Sequence, residues 1–352
     1  MFIGNREIAQ SKPPYFIADI ASNHDGDLDR AFHLIELAKE KGADAAKFQN
    51  FKASTIVSKS GFAAFHNKLS HQASWQKSVY EVYEDCSIHD EWRAKLKNKC
   101  DEVQIEYMTS PYNFEAVDLA EPYVNAYKIG SGDITWIELI RYIAQKNKPV
   151  ILATGASSLG DVDRAVKAIC KENHQLVLMQ CNTNYTLSKE NYKYINLEVL
   201  KTFSFLYPEL ILGLSDHTPG HTTVLGAIAL GARVIEKHFT DDNDRTGPDH
   251  KFSLNPAAWG EMVDRSLECW SSLGDGIKKV EDNEREAAML QRRSLYYTRD
   301  LKPGYILKEE DLFPLRPIHP AGIPPYEIHK IIGKELKEEV AKDTYITWEH
   351  IK

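Results

Sequence analysis

The sequence of 352 residues has no apolar run near the roughly 18 residues that a membrane-spanning helix needs. Its first residues, MFIGNREIAQSKPP, contain neither the apolar stretch nor the small-residue cleavage site of a secretory signal peptide. Positive charge is also scarce, since 43 lysines and arginines against 51 aspartates and glutamates leave a net charge of −8. These absences argue against membrane insertion and against binding to nucleic acid, and they predict a cytoplasmic protein.

Cysteine is rare as well, and no two cysteines form a CxxC pair. An odd number of widely spaced cysteines predicts reduced thiols rather than a disulfide framework or a cysteine zinc site. The five are Cys86, Cys100, Cys170, Cys181 and Cys269. Hydrophobic residues make up 43% of the chain and aromatic residues 10%, which is enough for a sizeable core and excludes a disordered chain.

The sequence does contain a repeating pattern, in which a short apolar run precedes a longer amphipathic stretch. The eight runs are YFIADIA (15–21), DAAKFQ (44–49), IEYMTS (105–110), NAYKIGS (125–131), PVILATG (149–155), LVLMQCN (176–182), ILGLSD (211–216) and ARVIEKHF (232–239). Eight strand–helix units predict an α/β protein with a (β/α)8 TIM barrel. A doubly wound open sheet is the rival, but the turn after the first run reads SNHDGD and lacks a glycine-rich phosphate fingerprint.

The composition divides the chain into three segments. Residues 1–275 form the predicted barrel domain, a charged stretch at 276–292 reads as a linker, and 293–352 are long enough for a small β-rich domain. Two pieces of that domain, DLKPGYILKEEDL and VAKDTYITWEHI, predict an internal pseudo-repeat. The long connection at 50–104 contains WQKSVYEVYEDCSI, for which we expect an extra helix at the barrel mouth.

Polar residues accumulate where the predicted strands end. In a TIM barrel these ends form the active-site face, and burying so many polar groups is costly unless they bind something. The residues are Asp19, Asn23, His24, Lys47, Gln49, Thr109, Ser110, Lys128, Ser131, Asp133, Thr154, Ser157, Asn182, Thr183, Asn184, Tyr185, Ser215, Asp216, His217, Glu236 and His238.

Two histidines follow adjacent predicted strands. His217 and His238 could place two imidazoles on one divalent metal, with water or substrate in the remaining positions. Such a ligand set does not by itself distinguish Mn²⁺, Zn²⁺, Fe²⁺ or Co²⁺. The alternative is a pair of ordinary strand-end histidines.

Two lysines lie inside otherwise apolar strands, where an unpaired ammonium is costly. Lys47 and Lys128 could be Schiff-base formers, carboxylate-paired structural residues or anchors for an anionic substrate. Nearby serine and threonine hydroxyls favour the anchor. The segment DRTGPDHKFS, with Arg245 and Asp249, could close over a polyol or be only a polar loop.

Several motifs in this order resemble the sialic acid synthase family of nonulosonate synthases. They are NHDGDL, AAKFQ, AYKIGSGD, GLSDHTPGH and VIEKHFTDDNDRTGPDHKFSL. Residues 293–352 resemble the antifreeze-like (SAF) domain that these enzymes carry, so that the resemblance covers nearly the whole chain.

The resemblance implies condensation of phosphoenolpyruvate with an N-acetylmannosamine-type aldehyde sugar and water, giving a nine-carbon 2-keto sugar acid and phosphate. C3 of phosphoenolpyruvate attacks the aldehyde, water adds at C2, and phosphate leaves by C–O cleavage. N-acetylneuraminate is the leading product, and legionaminate, pseudaminate or another keto-deoxy sugar acid are alternatives.

The resemblance also implies site residues. The catalytic set comprises Asp19, Lys47, Lys128, Asp133, His217 and His238. Phosphoenolpyruvate contacts are expected from Lys47, Ser110, Lys128, Ser131, Thr183 and Ser215. Sugar contacts are expected from Asp19, Gln49, Tyr185, Asp249 and Arg316. A divalent metal on His217 and His238 is expected to be Mn²⁺, with Mg²⁺, Co²⁺ or Zn²⁺ as alternatives.

Members of the family are domain-swapped homodimers, in which the SAF domain of one chain supplies an arginine to the other barrel. Arg316 matches that arginine. The chain departs from the family by Asp19 and Asp133 where glutamates are usual, and by Ala153 where a serine is common. Each shorter carboxylate withdraws by on the order of 1 Å, which alters the fit of a sugar hydroxyl.

Two other functions remain as alternatives. One is an aldolase barrel that uses Lys128 as a Schiff-base former, and the other is an inactive barrel that serves as a sugar-binding scaffold.

Overall fold

The computed structural model of the chain describes residues 1–64, 72, 75–186 and 188–352. Two compact units divide it, Met1–Leu273 and Gly274–Lys352. All five cysteines are free, as the sequence predicts. Within the described ranges, no helix has both the length and the apolar character to cross a membrane.

A closed barrel of eight parallel strands forms the first unit, after a two-stranded antiparallel sheet of β1 (Phe2–Ile3) and β2 (Arg6–Glu7). The barrel strands are β3 (Tyr15–Asp19), β4 (Ala45–Asn50), β5 (Glu106–Pro111), β6 (Tyr127–Ile129), β7 (Val150–Ala153), β8 (Leu176–Cys181), β9 (Ile211–Asp216) and β10 (Ala232–His238). Each predicted run contains one strand. Because β10 pairs with β3 and closes the sheet, the TIM barrel is confirmed and the open sheet is wrong.

Helices cover the barrel. They are α1 (Leu28–Glu40), α2 (Ala53–Ile56), α3 (Lys59–Ala64), α4 (Val79–Asp85), α5 (Trp92–Glu102), α6 (Phe114–Ala120), α7 (Ile137–Ala144), α8 (Leu159–Cys170), α9 (Val199–Leu206), α10 (Thr222–Ala229) and α11 (Pro256–Ser272). Helix α1 shows the local signals clearly: the Asp27 side chain accepts hydrogen bonds from the first turn, and Gly42 follows with a φ of 86°.

The long connection between β4 and β5 contains α2 to α5, and part of it (65–71, 73 and 74) lies outside the described residues. The expected extra helix is α4, whose Tyr83 ring lies 5.2 Å from that of Phe51, directly after β4.

Strand alternation decides which residues reach the site. Phe16 and Ala18 belong to the apolar layer under the helices, whereas Tyr15 and Ile17 belong to a separate buried cluster on the other side of the sheet. Asp19 lies two residues beyond Ile17 and therefore on the same side of the sheet. The same step along the chain leads from apolar Ala45, Ala126 and Val234 of that cluster to Lys47, Lys128 and Glu236. An apolar layer therefore lies beneath a layer of charged residues at the carboxyl ends of the strands.

The second unit begins with an exposed segment and α12 (Arg285–Gln291), and then pairs β11 (Ser294–Tyr297) with β12 (Leu312–Leu315). Much of the remaining pairing in the described structure consists of isolated bridges, such as Leu301 with Val340. Each of the two pseudo-repeat pieces ends in a 3-10 helix, Glu309–Asp311 or Trp348–His350, which confirms the predicted repeat.

Candidate active site at the carboxyl ends of the barrel strands

Four buried charges occupy the centre of the barrel mouth. Lys47 Nζ lies 2.7 Å from Asp19 Oδ2 and 3.8 Å from Glu236 Oε2. Lys128 Nζ lies 3.0 Å from Glu236 Oε1. All four side chains are 6% exposed or less, so two ammonium groups and two carboxylates balance one another with little help from water.

Burial alone would raise the pKa of Glu236, but Lys128 and Lys47 hold it at about 2. Burial raises the pKa of Asp19, although Lys47 opposes the shift. Both lysines thus have carboxylate partners. Glu236 appeared among the strand-end residues but not in the predicted site; its place on the strand that ends at His238 was the signal for its role.

A second buried ion pair lies on the helix-facing side of β9 and β10. Lys237 donates to the carboxylate of Asp216 and to the carbonyl of Thr218, 2.6 Å away. Asp216 also accepts hydrogen bonds from the hydroxyls of Thr218 and Thr223. Since each of these side chains has protein partners, the cluster fixes the turn after β9.

The two predicted metal ligands lie side by side. The ring centroids of His217 and His238 are 5.4 Å apart. His217 Nδ1 is 2.8 Å from the carbonyl oxygen of Asn182, and His238 Nε2 is 3.6 Å from Asp19 Oδ2. The ring of Tyr185 stands edge-on to His217 at 4.3 Å.

This pair suits a divalent metal chemically. Burial lowers the pKa of each imidazole to about 4, which keeps both rings neutral and able to ligate. The bond from His217 Nδ1 to a carbonyl is the outer contact that orients a metal-ligating histidine. His238 Nδ1 is buried and lacks a hydrogen-bond partner among the described residues. In the part of the chain that the structure describes, no group of three or more His, Cys, Asp or Glu side chains is arranged to hold a metal ion.

The predicted phosphoenolpyruvate contacts that carry hydroxyl groups lie at the same strand ends or just after them. Ser215 Oγ donates to Glu236 Oε1 at 3.0 Å, and Ser131 Oγ accepts from the backbone N–H of Gly155 at 2.9 Å. Ser110 Oγ is buried without a hydrogen-bond partner in the described structure, which is consistent with a hydroxyl that binds a ligand. A Cβ at Gly155 would come within 2.5 Å of the Thr183 methyl group and 2.9 Å of Ser131 Oγ, so Thr183 and Ser131 converge there.

Other predicted sugar residues border this centre. Gln49 Nε2 is 3.4 Å from Asp19 Oδ2, and Asp249 Oδ2 accepts from the backbone N–H of Ser22 at 3.2 Å. Burial raises the pKa of Asp133 to about 6, although Lys128 opposes the shift. Arg316 is in the second unit, where it is exposed directly after β12.

Sequence reasoning missed Tyr112, which follows β5. A Cβ at Gly130 would lie 3.7 Å from both Tyr112 Oη and Asp133 Oδ2, so the hydroxyl and the carboxylate approach the same point. The Tyr112 ring packs edge-on against Phe51 at 5.8 Å. Burial raises the pKa of Tyr112 well above its usual value, and the hydroxyl therefore stays protonated. Its position after a strand that ends in Ser110 and Pro111 was the available signal.

Comparison with known proteins places this geometry in a family. The chain matches the NeuB family over residues 34–278 and the SAF domain over residues 292–352. It is 36% identical to the N,N'-diacetyllegionaminic acid synthase of Legionella pneumophila over 99% of both chains. It is 31% identical to the human N-acetylneuraminate-9-phosphate synthase over 97% of this chain and 93% of that protein.

A solved structure agrees with these sequence relatives. The N-acetylneuraminic acid (sialic acid) synthetase from Leptospira borgpetersenii serovar Hardjo-bovis superimposes with a TM-score of 0.71 at 26% identity, covering 82% of this chain and 94% of that one. The barrel, the polar strand ends and the matches over nearly the full length lead to one conclusion: the chain belongs to the NeuB family of nonulosonate synthases and carries their SAF domain.

Proposed function

We propose that this barrel joins phosphoenolpyruvate to a 2-acetamido aldehyde sugar, with water as the third reactant, to give a nonulosonic acid and phosphate. The observation that carries the proposal is the pair of buried lysines, Lys47 and Lys128, next to two neutral imidazoles at one barrel mouth. A dianionic substrate and an aldehyde oxygen are the partners that suit these two halves of the site.

The half of the site that contains the two lysines binds phosphoenolpyruvate. Lys47 and Lys128 contribute charge, while Ser110, whose hydroxyl lacks a partner within the described residues, and Ser215 contribute donors for phosphate and carboxylate oxygens. Ser131 and Thr183, which converge at Gly155, extend that half. Because Asp19 and Glu236 together balance the charges of the two lysines, binding of the anion must exchange part of that pairing for contacts to the substrate.

The second half binds the sugar. His217 and His238 would hold a divalent ion, Mn²⁺ in our proposal, and the ion when bound would polarise the aldehyde carbonyl. Asp19, Gln49, Tyr185 and Asp249 surround this position and offer acceptors and a hydroxyl to a polyol. With both substrates bound side by side, C3 of phosphoenolpyruvate would form the new bond to the aldehyde carbon.

Addition of water completes the reaction. The water oxygen bonds to C2 of the phosphoenolpyruvate unit, and cleavage of the C2–O bond then releases phosphate. Asp133 would accept the proton that the water loses. Its pKa of about 6 suits a general base near neutral pH, and it lies near enough to Lys128 to be affected by its charge.

The product depends on the sugar. N-acetylneuraminate follows from an N-acetylmannosamine substrate. N,N'-diacetyllegionaminate is the other candidate, and the higher identity to the legionaminic acid synthase, 36% against 31% for the N-acetylneuraminate-9-phosphate synthase, favours it over N-acetylneuraminate. Asp19 and Asp133 are each shorter than glutamate by one methylene, which leaves on the order of 1 Å more room for an acetamido group.

Phosphate release tests the proposal. The purified chain is incubated with phosphoenolpyruvate, Mn²⁺ and one of three aldehydes: N-acetylmannosamine, its 6-phosphate, or the diacetamido sugar three carbons shorter than N,N'-diacetyllegionaminic acid. We expect release with one sugar and a product mass equal to the reactants plus water minus phosphate. Lys47→Ala serves as the inactive control. No release with any sugar, from protein that binds phosphoenolpyruvate, would contradict the proposal.

The alternative function, a Schiff-base aldolase, predicts a covalent adduct in a trapping assay. It would form an adduct between Lys128 and a keto substrate that borohydride traps and mass spectrometry detects. The ion pair between Lys128 and Glu236 disfavours that role, because the nucleophile would have to leave its counter-ion. We therefore expect no trapped adduct.

The cytoplasmic localisation of the protein stays a prediction.

A further inference from the structure

A completely buried histidine joins two loops at the barrel mouth. His250 follows Asp249 and begins the 3-10 helix His250–Phe252, and its side chain is 0% exposed. Its Nδ1 is 2.7 Å from Thr240 Oγ1, just after β10, and its Nε2 is 2.8 Å from Asp25 Oδ1, in the loop between β3 and α1. Since both ring nitrogens have partners, the ring is fixed in one orientation.

Asp25 connects the same loops a second time. Its other carboxylate oxygen accepts from Arg245 Nε at 2.9 Å and Nη2 at 2.7 Å, and Arg30 Nε lies 3.1 Å away. The residue has a φ of 54°, a left-handed backbone conformation that aspartate adopts more readily than most residues. DRTGPDHKFS is therefore an anchored segment and not a free polar loop.

The anchored segment determines where Asp249 lies. Its carboxylate accepts from the backbone N–H of Ser22, and its carbonyl oxygen accepts from Ser253 Oγ at 2.7 Å. Ser253 Oγ in turn accepts from Asn23 Nδ2 at 2.9 Å. The contact to the Asp249 carboxylate thus depends directly on the two loops staying together, and the contact to its carbonyl is linked to the first loop through Asn23.

Gly247 leaves room for the histidine. A Cβ at this position would be 2.5 Å from His250 Cδ2 and 3.3 Å from Asp25 Oδ1. Any side chain here would have to displace the ring or the carboxylate, because both are held by hydrogen bonds on their far sides.

We propose that Asp25 and His250 are positioning residues that hold the Asp249 carboxylate in the sugar half of the site. The inference rests on the proposed function. Lys47, Lys128 and Ser215, in the half that binds phosphoenolpyruvate, make their described side-chain contacts from the barrel strands and not through these loops, so loosening the loops should spare phosphoenolpyruvate binding.

Steady-state kinetics of Asp25→Ala, Asp25→Asn and Gly247→Ala test it. We expect Asp25→Ala to raise the KM for the sugar about tenfold or more and to leave the KM for phosphoenolpyruvate within about twofold. Asp25→Asn, which keeps an acceptor for His250, should recover part of the loss. Gly247→Ala should act in the same direction as Asp25→Ala, because its methyl group collides with the ring.

Asp118→Ala is the matched control, since this exposed carboxylate on α6 binds Tyr142 and Lys146 far from the loops. Far-UV circular dichroism confirms folding. Trypsin cleavage after Arg245 tests the loop anchor without substrate: it should be faster in Asp25→Ala and Gly247→Ala than in the wild type or the control. Unchanged sugar KM in both folded variants, or an equal rise in both KM values, would overturn the inference. A wild type inactive with every sugar counts against the proposed function instead.

Discussion

Glu236 balances the buried charge at the barrel mouth, because it is the only described carboxylate within 4 Å of Lys128 and the second within that distance of Lys47. We expect Glu236→Gln to lower the free energy of unfolding by about 3–5 kcal/mol at pH 7, since it leaves an ammonium buried without its counter-ion. Urea unfolding measures the loss.

The pH dependence of that loss follows from the depressed pKa. Glu236 has a pKa of about 2 in the folded chain against an ordinary value of 4.5, so its contribution is present above pH 4.5 and is lost as the pH falls toward 2. The difference between wild type and variant should shrink over that range. Glu268→Gln is the control: its ion pair with Arg265 is exposed, and we expect a change below about 0.5 kcal/mol. Equal losses in the two variants would contradict the assignment.

Asp133 has the opposite effect on stability. Burial raises its pKa from 3.8 to about 6, so the folded chain holds this proton more tightly than the unfolded chain. The carboxylate therefore costs stability above pH 6, and the cost vanishes below about pH 4, where both states are protonated.

Asp133→Asn should be more stable than the wild type by about 1–3 kcal/mol at pH 8, equally stable at pH 4, and less active. Unfolding at the two pH values, with activity measured alongside, checks this. A variant that is less stable at pH 8 would show that the carboxylate makes stabilising contacts. Asn113→Asp, an N-cap change on α6, controls for a general effect of the Asp/Asn exchange.

At the scale of strands and helices, local pattern predicted most of the architecture. Each of the eight runs contains a strand because β-branched and apolar residues are concentrated within a few positions, and strand ends identified the polar residues of the mouth. Local pattern was not enough for two residues: Glu236 stood among the strand-end residues without an assigned role, and Tyr112 was missed. Lys47 and Lys128, which give Glu236 its role, come from strands distant in the chain, and Tyr112 is directed by packing against Phe51.

The contact between β9 and β10 allows a test at this scale. A Cβ at Gly213 of β9 would lie 2.6 Å from the carbonyl oxygen of Val234, and backbone cannot yield without shifting β10. Because β10 carries Glu236 and His238, we expect Gly213→Ala to lose about 1–3 kcal/mol of stability and to lose activity with it.

Gly160→Ala is the control for that variant. It lies in α8, where a Cβ would come no closer than 3.7 Å to its neighbours, and we expect no loss of stability. Thermal unfolding followed by circular dichroism compares the two. A Gly213→Ala variant as stable and active as the wild type would mean that the strands tolerate the added methyl group.

At the scale of the whole molecule, Arg316 belongs to a different compact unit from every other proposed sugar contact. The sequence predicted the pseudo-repeat of the second unit, because its turn residues recur, but it overestimated regular strand. Proline and glycine interrupt the chain there, and much of the pairing is made by single bridges. The resemblance to the family led us to predict that Arg316 completes the site of a second chain in a domain-swapped homodimer.

Mixed dimers test that prediction. Arg316→Ala and His217→Ala chains are co-expressed with different tags and the mixed dimer is isolated through both. If the arginine acts on the partner's barrel, one of the two mouths receives an intact His217 and an intact Arg316, and activity should return to about half the wild-type value. Each variant alone should be nearly inactive with the amino sugar.

A mixed dimer of Lys47→Ala and His217→Ala separates this from general rescue. Both changes fall in the barrel, so each mouth keeps one defect and activity should not return, whichever chain supplies the arginine. If Arg316 serves its own barrel instead, the first mixed dimer has one mouth without His217 and the other without Arg316, and it too stays inactive. Recovery in the first pair and not in the second is therefore the result that requires an arginine from the partner chain.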